Sequence, residues 1–266
     1  MAFALGVVVA CDSAPDTADA DLTTVQEPSC SLTSADQLWL DRALGAWRFS
    51  TSTIIDMSAE IRLDAVIFDG SCVFLGHDAM STAVADEVQW EAVPHNGNVS
   101  LPNGDEIPAT VTSFTQSTDE SAFFAMSTPS IWRTGGVPDG PLGLETLMVA
   151  VLLHEAVHVS QFPTYGQDMS RLSERHDLPE SFNDDSIQHR FDQTPEFVAS
   201  VEAEIDLLLE AAFSEDDAEV RSLARKARQL MQQRRDRWFT GDEAYLSAAE
   251  DIWLTLEGSG QWVGYT

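Results

Sequence analysis

The stretch PLGLETLMVAVLLHEAVHVSQF, residues 141 to 162, decides the fold because it predicts a buried helix that carries polar side chains. Apolar residues stand on nearly every side of this helix, which is typical of a helix in a protein core. Its second half nevertheless contains His154, Glu155 and His158. Burying ionisable groups without partners is costly, so either the fold satisfies them or a ligand binds them. A metal ion meets this requirement.

The spacing of these residues specifies the kind of site. His154 and His158 are one helical turn apart, so both imidazoles project from one face, as two ligands of a tetrahedral Zn²⁺ require. Glu155 follows the first histidine and can take the proton of a water that zinc activates. The H-E-x-x-H pattern therefore predicts a Zn²⁺ site with Glu155 as general base. The alternative is two satisfied core histidines, with Glu155 paired to an arginine.

His154, Glu155 and His158 resemble the active-site helix of zincin metallopeptidases. The resemblance is strong only around this motif. It implies a β-sheet, then the motif helix, then helices that bring the third ligand. The metzincin subgroup would need a histidine six residues after His158, where Thr164 stands. A carboxylate ligand, as in gluzincins, is required instead.

Glu257 is the first candidate for that carboxylate. It lies in WLTLEGSGQW, residues 253 to 262, which resembles the W-L-x-E-G segment that carries the ligand Glu in aminopeptidase-like gluzincins. The sequence departs from that family in the spacing of about a hundred residues after His158 and in Ser259-Gly260.

Two other places offer carboxylates. The predicted helix FVASVEAEIDLLLEA contains Glu202 and Glu204, and Glu202 with Asp206 is similar to the E-x-x-x-D of thermolysin-like enzymes. Asp177 or Glu180 is nearer to the motif, but both lie in a segment that is a poor helix former. A solvated helix face is the ordinary interpretation of Glu202, Glu204 and Asp206.

Peptide hydrolysis also needs a group that stabilises the developing oxyanion. Tyr245 is the first candidate, followed by Tyr165, His189 and Tyr265. The run SAFFAMSTPSIW, residues 121 to 132, is either the edge strand that binds an extended substrate, as the zincin resemblance implies, or a core strand.

The remaining pattern predicts an α+β fold. Residues 34 to 49 have apolar positions at helical spacing, with Ser34 as N-cap. Short β-rich runs from Ile61 to Trp132 predict a twisted, mostly antiparallel sheet. A polar lid or loop is expected over residues 165 to 195. Helices follow Gly140, and they are predicted at 141 to 162, 195 to 213, 216 to 239 and 242 to 257.

The expected domain organisation is a tether followed by one zincin-like domain. Residues 1–30 form the tether, and residues 31–266 form the domain, with a mainly β part at 31–140 and a helical part at 141–266. The helical part is expected to form a C-terminal bundle after the motif helix.

The chain is strongly acidic. Its 266 residues include 44 acidic and 14 basic ones, a formal charge of −30, which repels nucleic acid and anionic membrane surfaces. Nucleic acid is therefore excluded as a partner. Half of the basic residues lie between Arg221 and Arg237, where a solvated helix face that pairs with acidic neighbours is the favoured interpretation over an anion site.

The N-terminus resembles a bacterial lipoprotein signal. A short apolar segment ends in Val8-Val9-Ala10-Cys11, and cleavage there would leave Cys11 to carry a lipid. An unprocessed tail is the alternative. Cys30 and Cys72 then remain as a disulfide pair in an oxidising compartment. No later run of 18 apolar residues exists, so the expected location is the cell envelope or outside, with the membrane reached only through the lipid.

Together these features predict a zinc-dependent hydrolase of gluzincin type, most simply a metallopeptidase acting on a peptide or protein. The competing class is a non-catalytic, zincin-like envelope binding protein in which zinc is structural or absent. The sequence does not fix the oligomeric state.

Overall fold

The computed structural model describes residues 30–53, 64–78, 90–118, 121–176, 178–179, 182 and 185–265. Cys11, Asp177 and Glu180 lie outside the described residues. Residue contacts divide the chain into unit 1, Met1–Gln167 with Leu256–Thr266, and unit 2, Asp168–Thr255. This division differs from the β and helical parts expected on either side of residue 140, because the motif helix belongs with the sheet.

Helices and strands together give the α+β class that the sequence predicts. The α-helices are α1 Ser34–Thr53, α2 Pro129–Thr134, α3 Leu144–Gln161, α4 Gln167–Arg175, α5 Ser186–Phe191, α6 Pro195–Phe213, α7 Asp217–Trp238 and α8 Leu246–Tyr265. The strands are β1 Asp64–Phe68, β2 Cys72–Gly76, β3 Trp90–Pro94, β4 Asn98–Ser100, β5 Glu106–Pro108, β6 Ser113–Ser117 and β7 Ala122–Ser127. None of these helices is long and apolar enough to cross a membrane.

Five strands of unit 1 form a mixed sheet in the order β3-β2-β1-β7-β6. The β1–β7 pair is parallel, and the other pairs of this sheet are antiparallel. Strands β4 and β5 pair separately as a small antiparallel sheet. Within the described residues β6 is therefore an edge strand of the larger sheet.

Strand β7 contains the SAFFAM run and is a core strand, so the edge-strand interpretation of that run is wrong. All of its residues are buried, and β1 and β6 flank it. Phe124 and Met126 pack in the same cluster as helices α1 and α3, whereas Phe123 and Ala125 pack in a second cluster on the other face. A continuous apolar run suits a strand covered on both faces.

Helix α1 begins with a reciprocal cap. The Thr33 hydroxyl accepts a hydrogen bond from the Asp36 backbone N–H at 3.1 Å and donates one to Asp36 Oδ2 at 2.9 Å. Thr33, and not Ser34, therefore performs the capping. The other Asp36 oxygen accepts the backbone N–H of Ser130 at 3.2 Å, which explains why this carboxylate is buried.

A disulfide joins Cys30 to Cys72, with 5.7 Å between their Cα atoms, as the sequence analysis expected. It links the segment before α1 to the first residue of β2. The bond fixes the segment before α1 to the sheet of unit 1.

Unit 2 contains helices where the sequence analysis expected a polar lid or loop. Helices α4 and α5 both fall within residues 165 to 195. Helix α4 has apolar Met169 and Leu172 on one side among polar residues, a pattern too short to recognise in the sequence.

Two arginines of α7 are buried, which contradicts their interpretation as part of a solvated face. Arg234 donates hydrogen bonds to both carboxylate oxygens of Glu204, at 2.7 and 3.0 Å. The Nη1 atom of Arg234 forms an ion pair with Glu250 at 2.9 Å, without the geometry of a hydrogen bond. Arg235 donates to Glu250 at 2.6 Å and to Asp251 at 2.8 Å. Buried guanidinium groups require such paired carboxylates.

Candidate metal centre

Helix α3 carries the motif through the core of unit 1. It begins after Gly143, whose φ of 83° is a conformation that favours glycine. Apolar residues of α3, including Met148 and Leu152, are fully buried against the sheet and α1. His154 and Glu155 are buried on the same helix, at 8 % and 4 % exposure. The burial that the sequence implied for these polar groups is therefore present.

The second part of the site comes from the Leu256–Thr266 segment of unit 1. Glu257 lies on this part of α8 and is 7 % exposed. Its Oε2 is 3.2 Å from His154 Nε2, and its Oε1 is 3.4 Å from His158 Nε2. The two Nε2 atoms are 2.9 Å apart. Ligand atoms of all three residues lie within 4.8 Å of one another.

This donor set fits a zinc ion. Two imidazole nitrogens and one carboxylate are a common protein ligand set of catalytic zinc, which keeps a fourth position open. In a tetrahedral centre with bonds of about 2.0 to 2.2 Å, neighbouring ligand atoms lie about 3.3 Å apart. The two Nε2 atoms are separated by that value to within a few tenths of an ångström, and each lies at a similar distance from one of the two Glu257 oxygens.

The same three residues are electrostatically coupled. Burial disfavours the charged form of His158, but its hydrogen bond to Glu257 and the charge of Glu257 raise the pKa of His158 to about 9. Burial likewise opposes ionisation of Glu257, yet hydrogen bonds from His154 and His158 lower its pKa to about 2. A divalent cation held by these atoms would compete with the proton of His158.

Glu155 is held by the edge strand. Ser113 Oγ donates to Glu155 Oε1 and Thr115 Oγ1 donates to Glu155 Oε2, both at 2.8 Å. Residues 113 and 115 alternate along β6 and so share the face towards α3. Each carboxylate oxygen keeps a second lone pair, so Glu155 can still accept a further proton or hydrogen bond.

Gln161 connects the two parts of the site. Its Oε1 is 3.0 Å from His158 Nδ1, and its Nε2 donates to the Leu256 carbonyl oxygen and to Ser259 Oγ, both at 2.8 Å. Ser259 Oγ is also 3.3 Å from the Tyr165 hydroxyl. Gln161 is 4 % exposed.

Helix α8 continues through its glycines, although the sequence predicted an end near residue 257. A Cβ on Gly260 would lie 2.7 Å from His154 Nδ1, and one on Gly264 would lie 3.1 Å from the Ala150 carbonyl oxygen. The two glycines therefore let α8 pack directly on α3. Glycine inside a helical pattern indicates such a packing requirement, and this signal was present in the sequence.

The other candidate ligands are engaged elsewhere or exposed. Glu204 pairs with Arg234 in unit 2, whereas Glu202 and Asp206 are exposed on α6. Of the carboxylates considered within the described residues, Glu257 is the one in the cluster with the two histidines.

The candidate oxyanion residues are spread along the chain. Tyr245 packs against an aromatic cluster of unit 2 that contains Phe197 and Phe239, and His189 is exposed. Tyr165, in unit 1, is the candidate whose hydroxyl bonds to a residue beside Glu257. The side chain of Tyr265 lies outside the described residues. The oxyanion role of Tyr245 stays a prediction.

The sequence did not reveal the hydroxyl groups that surround the motif. Those of Ser113, Thr115 and Ser259 had no recognisable pattern, because they come from a strand and a helix remote in sequence. Gln161 is different, because its position three residues after His158 predicts that it shares the metal-facing side of the helix.

Comparisons of the chain with protein-family models, with curated proteins and with solved structures return no match.

Proposed function

We propose that the protein is a zinc-dependent hydrolase of gluzincin type, and that it acts as a metallopeptidase. The observation that supports this most directly is the cluster of His154, His158 and Glu257. A second observation is the position of Glu155, which follows the first histidine of this cluster on the same helix. Placing these ionisable groups together in the interior is costly, and a bound cation would offset that cost.

The proposed roles follow from the chemistry of each side chain. His154, His158 and Glu257 bind Zn²⁺, which when bound supplies a Lewis acid and lowers the pKa of a water to about 7. Glu155 takes the proton of the attacking water and gives it to the leaving amine. Ser113 and Thr115 orient Glu155 through their hydroxyls.

The proposed substrate is an extended peptide. Strand β6 pairs with β7 only, among the strands that are described, and its residues contact Glu155. A peptide that adds to this edge by backbone hydrogen bonds would pass the motif helix. The charge of −30 favours neutral or cationic peptides.

A second candidate function is a metal-dependent binding protein without catalysis. It is favoured by the two hydroxyl groups that already donate to Glu155, because such bonds are also what a purely structural carboxylate requires. In that case Glu155 stabilises the contact between α3 and β6, and zinc stabilises the contact between α3 and α8.

Replacing Glu155 by Gln separates the two functions. We expect Glu155→Gln to keep about one zinc per chain and to lose peptide hydrolysis by roughly 10²-fold or more. Zinc content would be measured by elemental analysis, and hydrolysis by mass spectrometry of new termini in a mixture of unstructured peptides. Glu202→Gln, on the exposed face of α6, is the matched control and should retain both properties.

Ligand variants test the site itself. His154→Ala and Glu257→Ala should fold and lose zinc. Full zinc occupancy in both variants would contradict the ligand assignment. Wild-type protein that binds zinc but cleaves no peptide would favour the binding function.

A further inference from the structure

The orientation of the Gln161 amide is determined by its partners. A backbone carbonyl can only accept, so the amide nitrogen must be the end that faces the Leu256 oxygen at 2.8 Å. Its second hydrogen goes to Ser259 Oγ, also at 2.8 Å. The amide oxygen is therefore the atom that faces His158 Nδ1.

This orientation fixes the tautomer of His158. Because the amide oxygen is an acceptor, the hydrogen between the two residues must be carried by Nδ1. When the ring is neutral, Nε2 then carries the lone pair, and Nε2 is the atom that points at Glu257 and His154. A hydrogen bond at the distal ring nitrogen is the usual way in which proteins orient a histidine ligand.

The opposite end of the amide holds the third ligand. Leu256 and Ser259, the two acceptors, flank Glu257 within one turn of α8. The turn that carries Glu257 is thus tied to the helix that carries both histidines. Burial raises the energetic cost of breaking these hydrogen bonds, because an amide at 4 % exposure cannot replace them with bonds to water.

We propose that Gln161 is the positioning residue of the metal centre, since one buried amide sets the tautomer of His158 and holds the α8 turn that bears Glu257. The inference rests on the proposed zinc site, and it assigns Gln161 no contact with the metal or with substrate.

Three variants dissect the two ends of the amide. Gln161→Met keeps the length of the side chain but removes both donors and the amide acceptor. Gln161→Glu keeps an acceptor for His158 and removes the donors to α8. Ser259→Ala removes one of the two acceptors of the amide, together with the contacts of that hydroxyl to Tyr165 and the Leu256 carbonyl. Gln229→Met, at an exposed position of α7, is the matched control.

Zinc dissociation constants, measured by competition with a chromophoric chelator, test the proposal without reference to activity. We expect Gln161→Met to bind zinc 10- to 100-fold more weakly than wild type, which is the usual effect of losing a residue that orients a ligand. The zinc dissociation constant of Gln161→Glu should lie between those of wild type and Gln161→Met. That of Gln229→Met should equal the wild-type value. The visible absorption of bound Co²⁺ should change in Gln161→Met, because the ligand geometry changes.

The outcomes separate this proposal from the proposed function. Wild type that binds neither Zn²⁺ nor Co²⁺ would overturn both. Wild type that binds zinc, with Gln161→Met within threefold of it and an unchanged Co²⁺ spectrum, would overturn only the role of Gln161. Circular dichroism checks folding, and if Gln161→Met does not fold, wild-type affinity in both Gln161→Glu and Ser259→Ala overturns the proposal.

Discussion

His158 and Glu257 make the stability of the metal-free protein depend on pH. The pKa of His158 is raised from 6.5 to about 9, so its stabilising contribution is complete below pH 6.5 and is lost as pH rises through about 9. The pKa of Glu257 is lowered from 4.5 to about 2, so its contribution is complete above pH 4.5 and is lost as pH falls through about 2.

We therefore expect this pair to stabilise the chelated protein most strongly between pH 4.5 and 6.5. Thermal unfolding in a chelator from pH 3 to 10 measures this, and His158→Gln is the control that should flatten the alkaline side of the profile. An alkaline side as steep in His158→Gln as in wild type would contradict the assignment of that loss to His158.

Residue patterns predicted which side chains come together at the site better than they predicted the groups that hold them. The spacing of His154 and His158 predicted that both imidazoles share one helix face, and the resemblance of the segment around Glu257 to a ligand-bearing segment singled out the carboxylate that joins them. The hydroxyls that hold Glu155 could not be predicted, because the register that places Ser113 and Thr115 over α3 depends on tertiary packing.

At the scale of elements, long periodic helices were predicted closely and helix ends were not. Helices α6 and α7 lie within a residue or so of the expected ranges. The predicted end of α8 was wrong, because the helix continues through Gly258 and Gly260 to Tyr265. Glycine weakens a helix, but the close approach of Gly260 to the His154 ring of α3 compensates at that position.

The glycines of α8 allow a matched pair of substitutions. Gly260→Ala should destabilise the protein by about 1 to 3 kcal/mol through overpacking and should weaken zinc binding, because the new methyl group meets the His154 ring. Gly258→Ala should instead stabilise it by about 0.5 to 1 kcal/mol, since nothing lies within 4 Å of its Cβ position.

Denaturant unfolding and zinc competition on the two purified variants measure these effects. Equal stability of Gly258→Ala and Gly260→Ala would show that the contact between Gly260 and the His154 ring is not tight.

At the scale of the whole molecule, the disulfide is the strongest covalent constraint within the described residues. It closes a segment of 42 residues between Cys30 and Cys72. Removing it by Cys30→Ser with Cys72→Ser should lower the free energy of unfolding by about 2 to 5 kcal/mol, because the unfolded chain gains freedom. Denaturant titration measures the loss, and a thiol titre that does not change on reduction would contradict the bond.

The charge of the chain also acts at this scale. A net charge of −30 causes repulsion between the acidic side chains of the molecule. The compact state therefore depends on apolar burial and on the positions of the few basic residues. Arg234 and Arg235 illustrate this, since they lie inside unit 2 among Glu204, Glu250 and Asp251.

The path of the chain through the two units has a genetic consequence. The backbone leaves unit 1 after Gln167 and returns at Leu256, whose carbonyl oxygen is 2.8 Å from the side chain of Gln161. Both junctions fall in helices, because α4 begins at Gln167 and α8 runs from Leu246 to Tyr265. Gene variants that insert or delete residues in the loops of unit 2, and that keep these two helices, would therefore leave His154, His158 and Glu257 unchanged in sequence.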